Sequence, residues 1–419
     1  MKSPPGSLNR AARRSHGDGG IDSRGENVHR LRYRVGGKRF TKTFHGTLTE
    51  ARKELRRLIG SADVGEHVAP DKVTVEQWID EWIGAGAPGR KKKRVSERTL
   101  ERYADLLRVH IRPVLGSRRL QALQATEIDK LYADMATAKV ISPRTQHHVH
   151  TVFSSALSTA TRKGMLVVNP MMRVEQVPTV TEFDADTETD DIGEGMSDAE
   201  LAELIRGFKN SSIFPIVALA AATGARRNEL LALRWSDLDM AKRTLRIERA
   251  WEQTKKHGLR LKPPKTKRGL RTIDLDAELL SLLAALRETH QRLCAGVPDG
   301  VDVDLSLIKL PAGALMFPNP PEGGEEFSLT APRNPRSVTQ AFARRAGALG
   351  FGRTRFHDLR GIHSTALLDA GIPVHTVAQR IGDDPATLLR SYAKRKRSKV
   401  ADERLSDVIA GLATGFLGS

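Results

Sequence analysis

Apolar and polar positions change their period several times along the chain. From Val28 they alternate through Val28-His29-Arg30-Leu31-Arg32-Tyr33-Arg34-Val35, pause at Gly36-Gly37, and alternate again through Lys38-Arg39-Phe40-Thr41-Lys42-Thr43-Phe44. Period two on both sides of a glycine pair predicts a β-hairpin. Thr47-Leu48-Thr49-Glu50 then has the form of a capping box, opening a helix over residues 51–59. A second capping box, Thr74-Val75-Glu76-Gln77, begins a stretch of helical period, with helices expected at residues 75–83, 97–111, 126–135 and 143–163 and a stop at Asn169-Pro170. Ser197-Asp198-Ala199-Glu200 caps the first helix of a third stretch, in which residues 244–248 and 271–275 read as strands and most of the rest as helix. The tail, residues 400–419, carries Leu405, Val408, Ile409, Leu412 and Phe416 at helical spacing. No internal repeat is apparent.

Length and charge turn this pattern into a domain plan. A chain of 419 residues suggests two or three domains. The expected order is a disordered basic arm at 1–25, a sheet-plus-helix unit at 26–68, a helical unit at 72–175, a linker at 176–196 and a large unit at 197–419. The linker is acidic, with Glu182, Asp184, Asp186, Glu188, Asp190, Asp191 and Glu194, in a chain whose net charge is +18 and whose pI is near 10.2. That excess makes a polyanion the first partner to consider. Aromatic residues are only 5% of the chain, which argues against base stacking as the main mode of binding. Arg32, Arg34, Lys38, Arg39 and Lys42 make the first hairpin basic, either a ribbon for a DNA groove or an ordinary solvated hairpin. The run Arg90-Lys91-Lys92-Lys93-Arg94 is equally a phosphate-binding strap or a solvated loop. The single cysteine, Cys294, excludes an internal disulfide and a multi-cysteine zinc site. No stretch reaches membrane length and the N-terminus lacks the apolar core of a signal peptide, so a cytoplasmic protein is expected.

Four segments of the third unit hold polar groups that a packed core would not choose. In Thr223-Gly224-Ala225-Arg226 the glycine break sets Arg226 at a helix start, where a guanidinium and free amides face an anion together, and Glu229 lies one turn on to hold it. A surface ion pair at i, i+3 accounts for that spacing as well. The basic segment around Pro264-Lys265-Thr266-Lys267-Arg268 offers Lys265 as a general acid and Lys267 as a DNA contact, or a solvated turn. His357 and Arg360, in His357-Asp358-Leu359-Arg360, share one helix face, and a phenol follows at Tyr392.

Thr223-Gly224-Ala225-Arg226, Lys265-Thr266, His357-Asp358-Leu359-Arg360 and Tyr392, in this order, resemble the tyrosine recombinase family of phage-type integrases. The resemblance spans nearly the whole chain. It implies a multidomain, mainly α protein: a small three-stranded sheet plus helix that binds arm-type DNA, a helical core-binding (SAM-like) domain, and a mixed α+β, mostly α, catalytic domain with a tail helix. It implies that Arg226 and Arg360 clamp the scissile phosphate, Tyr392 attacks it, Lys265 protonates the leaving oxygen and His357 assists the phenol, with His363 supporting from behind. A 3′-phosphotyrosine keeps the bond energy, so no ATP, metal or other cofactor is implied. The implied partners are double-stranded DNA attachment sites of a phage or genomic island, a homotetramer on DNA with a monomer off it left open, and, also open, a directionality factor and a DNA-bending protein. The tail packs either on a neighbouring protomer or on its own domain. One position departs from the pattern: Ile381-Gly382-Asp383 stands where the family usually has Leu-Gly-His, and an ionised aspartate cannot donate to a phosphate. Asp383 turns away, pairs with a base or carries a proton, or else the enzyme is slow. The alternatives are a catalytically weakened DNA-binding or architectural relative and, disfavoured by the arm-like domain, a monomeric type IB topoisomerase.

Overall fold

The computed structural model describes residues 19–35, 38–63, 71–89, 94–138, 141–178, 196–264, 267–321 and 327–395. The chain divides into two compact units, Met1–Thr181 and Glu182–Ser419.

The first unit opens with an antiparallel sheet in the order β1 (Gly20–Gly25), β2 (Val28–Val35), β3 (Lys38–His45), backed by α1 (Leu48–Asp63). Alternation decides its faces. Leu31 and Tyr33 point inward and are buried against Ala51, Leu55 and Leu58 of α1. Arg30, Arg32 and Arg34 stand on the opposite face, across from Thr43, Thr41 and Arg39. The Thr47 amide donates to Glu50 Oε2 at 2.8 Å and the Glu50 amide to Thr47 Oγ1 at 3.4 Å, the reciprocal cap that the local motif predicts. One boundary is corrected: β1 takes in the end of the segment expected to be a free arm. Its residues, Gly-Ile-Asp-Ser-Arg-Gly, have a single large apolar side chain, so pairing with β2 makes the strand rather than any pattern of its own.

The helical part holds α2 (Val75–Gly84), α3 (Glu97–His110), the short α4 (Arg112–Leu115), α5 (Ala125–Ala138) and α6 (Pro143–Arg162). Thr74 and Gln77 form the expected capping box on α2. Trp78 and Trp82 fill the core and still satisfy their indole N–H groups, on Ala156 O at 3.0 Å and Pro88 O at 3.1 Å. The second of these bonds, with Thr159 Oγ1 donating to Pro88 O at 2.9 Å, ties the segment after α2 to α6.

The second unit is built on α7 (Asp198–Gly207), capped by Ser197 and Glu200, and on α8 (Phe214–Thr223), which is apolar on all sides and buried at Ile216, Val217, Leu219 and Ala220. α9 (Arg227–Leu230) follows. A small antiparallel sheet runs β4 (Leu238–Asp239), β5 (Thr244–Ile247), β8 (Arg271–Asp274). Between its last two strands lies a hairpin, β6 (Ala250–Thr254) with β7 (Gly258–Lys262), ahead of the basic segment and in a stretch where no strand was expected. Cross-strand ion pairs hold it: Glu252 receives Arg260 and Lys262, both at 2.8 Å, a signal that apolar alternation does not carry. After α10 (Ala277–Ala295) the described residues 296–321 and 327–334 form no helix or named strand before α11 (Pro335–Ala348), in a proline-bearing stretch where mostly helix was expected. Gln291 Nε2 ties this stretch to α10, donating to Leu305 O at 3.1 Å and Ile308 O at 2.9 Å. The last described residues of the unit form three helices, α12 (Asp358–Asp369), α13 (Val374–Ile381) and α14 (Pro385–Arg395). Among the described residues, no helix is long and apolar enough to cross a membrane. The basic run Arg90-Lys91-Lys92-Lys93, most of the acidic linker and the tail helix of residues 400–419 lie outside the described residues.

Candidate active site

α8 ends where the first arginine is needed. Gly224 is left-handed, with φ 62°, and a Cβ there would sit 2.8 Å from the His363 ring and 3.0 Å from Ile381, so glycine is required twice over. Ala225 is buried, and Arg226 emerges in extended conformation as the cap of α9. Glu229 holds it from below: the Arg226 amide donates to Oε2 and its Nη1 to Oε1, both at 3.0 Å. Glu229 is itself buried, and Arg271 Nη2 donates to it at 2.8 Å. Burial opposes ionisation of this carboxyl, but Arg271 first and Arg226 after it outweigh burial and hold the pKa below the usual carboxylate range. Arg271 is anchored further by Arg380 O and Gly269 O.

Arg360 reaches the same place from α12. Its Nη1 donates to Gly224 O at 2.8 Å and Ile381 O at 2.7 Å, two carbonyls at the ends of α8 and α13. Its Nη2 donates to Asp383 Oδ2 at 2.8 Å, and Arg226 Nη2 lies 3.6 Å from Asp383 Oδ1. Both guanidiniums therefore converge on one carboxylate. The Arg360 side chain is 7% exposed, that of Arg226 39% and that of Asp383 31%, so the pair opens outward through Arg226 and the aspartate. Asp383 takes the second of the expected alternatives: it pairs with basic neighbours.

His357 begins the turn into α12. Asp358, buried beneath it, accepts the Arg355 amide at 2.7 Å and fixes that turn. Part of His357 stays at the surface, yet enclosure by protein, then Arg360 and Arg226, hold its imidazole below the ordinary value against the opposing charge of Asp358. His363 lies behind Gly224, accepts from Arg380 Nε at 3.3 Å, and is pushed down to about 4 by burial and then by Arg380. It supports the site without facing it.

Lys265 and the side chain of Lys267 lie outside the described residues. Arg268, further along the same loop, pairs with Asp384 next to Asp383. Tyr392 is on α14, and its hydroxyl donates to Asp369 Oδ1 at 2.8 Å. The structure thus brings together Arg226, Glu229, His357, Arg360 and Asp383, and holds Tyr392 at the other end of α12. In the first unit Arg32, Arg34 and Arg39 share the open face of the sheet, Arg32 engaged by Asp22 at 2.7 Å. Lys38, opposite Val35, is exposed at the strand end. Lys42 sits apart from them, on the helix-backed face, with its ammonium 2.8 Å from Glu54. Sequence reasoning missed Arg30, Arg271, Arg380 and Asp369. Arg271 had a signal, being in phase with buried Ile273 in a strand of period two.

The phage integrase family profile matches residues 209–398, and that of the phage integrase N-terminal SAM-like domain matches residues 74–136. Together they take in more than half of the chain. An integrase of Streptomyces ambofaciens is 25% identical over 390 residues, covering 89% of this chain and 90% of its own. A XerC-like tyrosine recombinase of Caldanaerobacter subterraneus subsp. tengcongensis is 24% identical over 408 residues, covering 92% and 97%. Among solved structures, the Tn1549 transposon integrase in complex with transposon right end DNA has a TM-score of 0.59 at 17% identity, covering 80% of this chain and 98% of that one. A lambda integrase tetramer bound to a Holliday junction has a TM-score of 0.53 at 16% identity, covering 90% and 96%. At these identities the solved structures establish a shared fold.

Proposed function

The chain belongs to the phage integrase family, the tyrosine recombinases, and on that footing we propose that it is a site-specific DNA recombinase that integrates or excises a mobile element. Tyr392 Oη attacks the scissile phosphorus and takes the 3′-phosphate into a phosphotyrosyl bond, while the bond to the 5′ oxygen breaks. Lys265 gives that oxygen its proton, and His357, held neutral at physiological pH by its surroundings, receives or steers the proton of the phenol. Arg226 and Arg360 grip the two non-bridging oxygens and offset the charge that develops on them. Attack on the phosphotyrosine by the 5′-hydroxyl of a second strand reverses the chemistry and joins new partners. No step draws energy from outside, because one phosphodiester is exchanged for another. The working assembly is a tetramer on paired attachment sites.

One observation carries this reading: Arg226 and Arg360, from different helices, meet on a single anion, the Asp383 carboxylate. A pair of guanidiniums fixed by backbone carbonyls and a buried glutamate is preorganised for a tetrahedral oxyanion. The test is a duplex nicked next to the cleavage position, drawn from the DNA that flanks the gene. Wild type becomes covalently joined to DNA and Tyr392→Phe does not. A bound duplex with no adduct would instead support a DNA-binding or architectural relative, which the aspartate already lodged in the clamp favours.

A further inference from the structure

Two acidic residues tie down the helix that carries Tyr392. Asp383, immediately ahead of α14, is bonded to Arg360 near the start of α12. Asp369, at the end of α12, accepts the Tyr392 hydroxyl. Asp369 follows Arg360 by nine positions and Tyr392 follows Asp383 by nine, so the two contacts are rungs at equal spacing between segments running in the same direction. Nine residues correspond to about 13 Å of helix axis. A phenol on the lower rung is therefore away from the guanidinium pair on the upper one.

We propose that Asp369 is a positioning residue for Tyr392, and that Asp369 and Asp383 together latch α14 in a withdrawn position which an entering phosphate releases. The inference rests on the reading of Arg226 and Arg360 as the phosphate clamp. An ionised carboxylate only accepts hydrogen bonds, and a phosphodiester accepts from the same N–H groups. Two anions do not share that clamp comfortably, so a phosphate expels Asp383. Only Asp384 separates Asp383 from α14, and the displacement passes to the helix. The Tyr392 hydroxyl remains bonded to Asp369 at the surface, where water competes for it, while Leu388 keeps α14 packed on α13. A histidine at position 383 would donate to the phosphate and stay. The aspartate makes this corner a sensor of phosphate rather than a ligand for it. Coupling of this kind is reciprocal: breaking the lower rung loosens the upper one and raises the affinity of the clamp for an anion that Asp369 never touches.

The full chain labelled with 3-fluorotyrosine tests this, using inorganic phosphate as the probe. The chain has four tyrosines, and Tyr392→Phe identifies its ¹⁹F resonance. Phosphate is expected to move that resonance in wild type toward the position it takes in Asp369→Ala without phosphate. Asp369→Ala is expected to bind phosphate about fivefold more tightly than wild type, the lower end of typical coupling. Asp369→Asn keeps an acceptor for the phenol and behaves as wild type. If phosphate binding is weakened by Arg226→Gln, yet the Tyr392 resonance stays still and Asp369→Ala leaves the affinity unchanged, the latch is wrong and the clamp stands. If Arg226→Gln does not weaken phosphate binding, the clamp itself is wrong and the latch falls with it.

Discussion

Glu229 and Arg271 form an ion pair at 2.8 Å in which each side chain is only 3% exposed, and the same carboxylate orients Arg226. A buried pair of this kind leaves an uncompensated charge when one partner is removed. Arg271→Ala is expected to lose about 3–5 kcal/mol of stability in the catalytic unit. Chemical denaturation of the purified chain reads this directly. A change below about 1 kcal/mol would mean that Glu229 finds another partner.

Glycine at position 224 is dictated by both its φ and its neighbours. Gly224→Ala places a methyl against the His363 ring and Ile381 in a conformation that L-residues avoid, at an expected cost of about 1–3 kcal/mol. Because Gly224 O also receives Arg360, adduct formation should fall further than stability does. Thermal melting and single-turnover cleavage on the nicked duplex, measured together, separate the two effects.

Acid should weaken the catalytic unit well above the carboxylate range. His290, buried and accepting from Trp235 Nε1 at 3.0 Å, is pushed down to about 4 by burial, as His363 is by burial and Arg380. A histidine whose folded pKa is depressed contributes stability that is present above about 6.5, its ordinary value, and is lost as pH falls toward about 4. Melting temperature should therefore drop across that window. In His290→Gln the drop should be shallower, and an unchanged slope would remove His290 from the account.

On the first unit, neutralising cations on one face of the sheet or the other gives a sharp contrast. Replacing Arg30, Arg34 and Arg39 together by glutamine should reduce the slope of log affinity against log salt by up to about 3 for random duplex DNA. Lys42→Gln should leave the slope unaltered, because its ammonium is engaged by Glu54 on the helix side. Fluorescence anisotropy across a salt series distinguishes the two variants.

Features written in neighbouring residues were legible in the sequence. The capping pairs Thr47 with Glu50, Thr74 with Gln77 and Ser197 with Glu200 form where the motif places them, since each closes within one helical turn. The Arg226–Glu229 pair is legible for the same reason. Residues joined only by tertiary packing were not. Lys42 looks like any other cation of the basic hairpin until the register with Leu31 turns it toward α1. Asp369 has no local mark, and its meaning depends on α12 and α14 lying side by side. The β6–β7 hairpin escaped notice because long charged side chains pair across it where a periodic reading looks for apolar ones.

Gly382, left-handed at φ 69° and pressed against Arg268 O and the Arg271 side chain, is followed by the aspartates that engage Arg360 and Arg268. Three consecutive residues thus join the end of α13, the loop before β8 and the start of α14. For protein engineering this sets the unit of exchange. A chimera that imports only the tyrosine-bearing helix from a relative would meet a foreign joint at Gly382-Asp383-Asp384, whereas transplanting residues 224–229 and 263–271 together with 357–395 carries the contacts of that joint with Arg226, Arg268, Arg271 and Arg360.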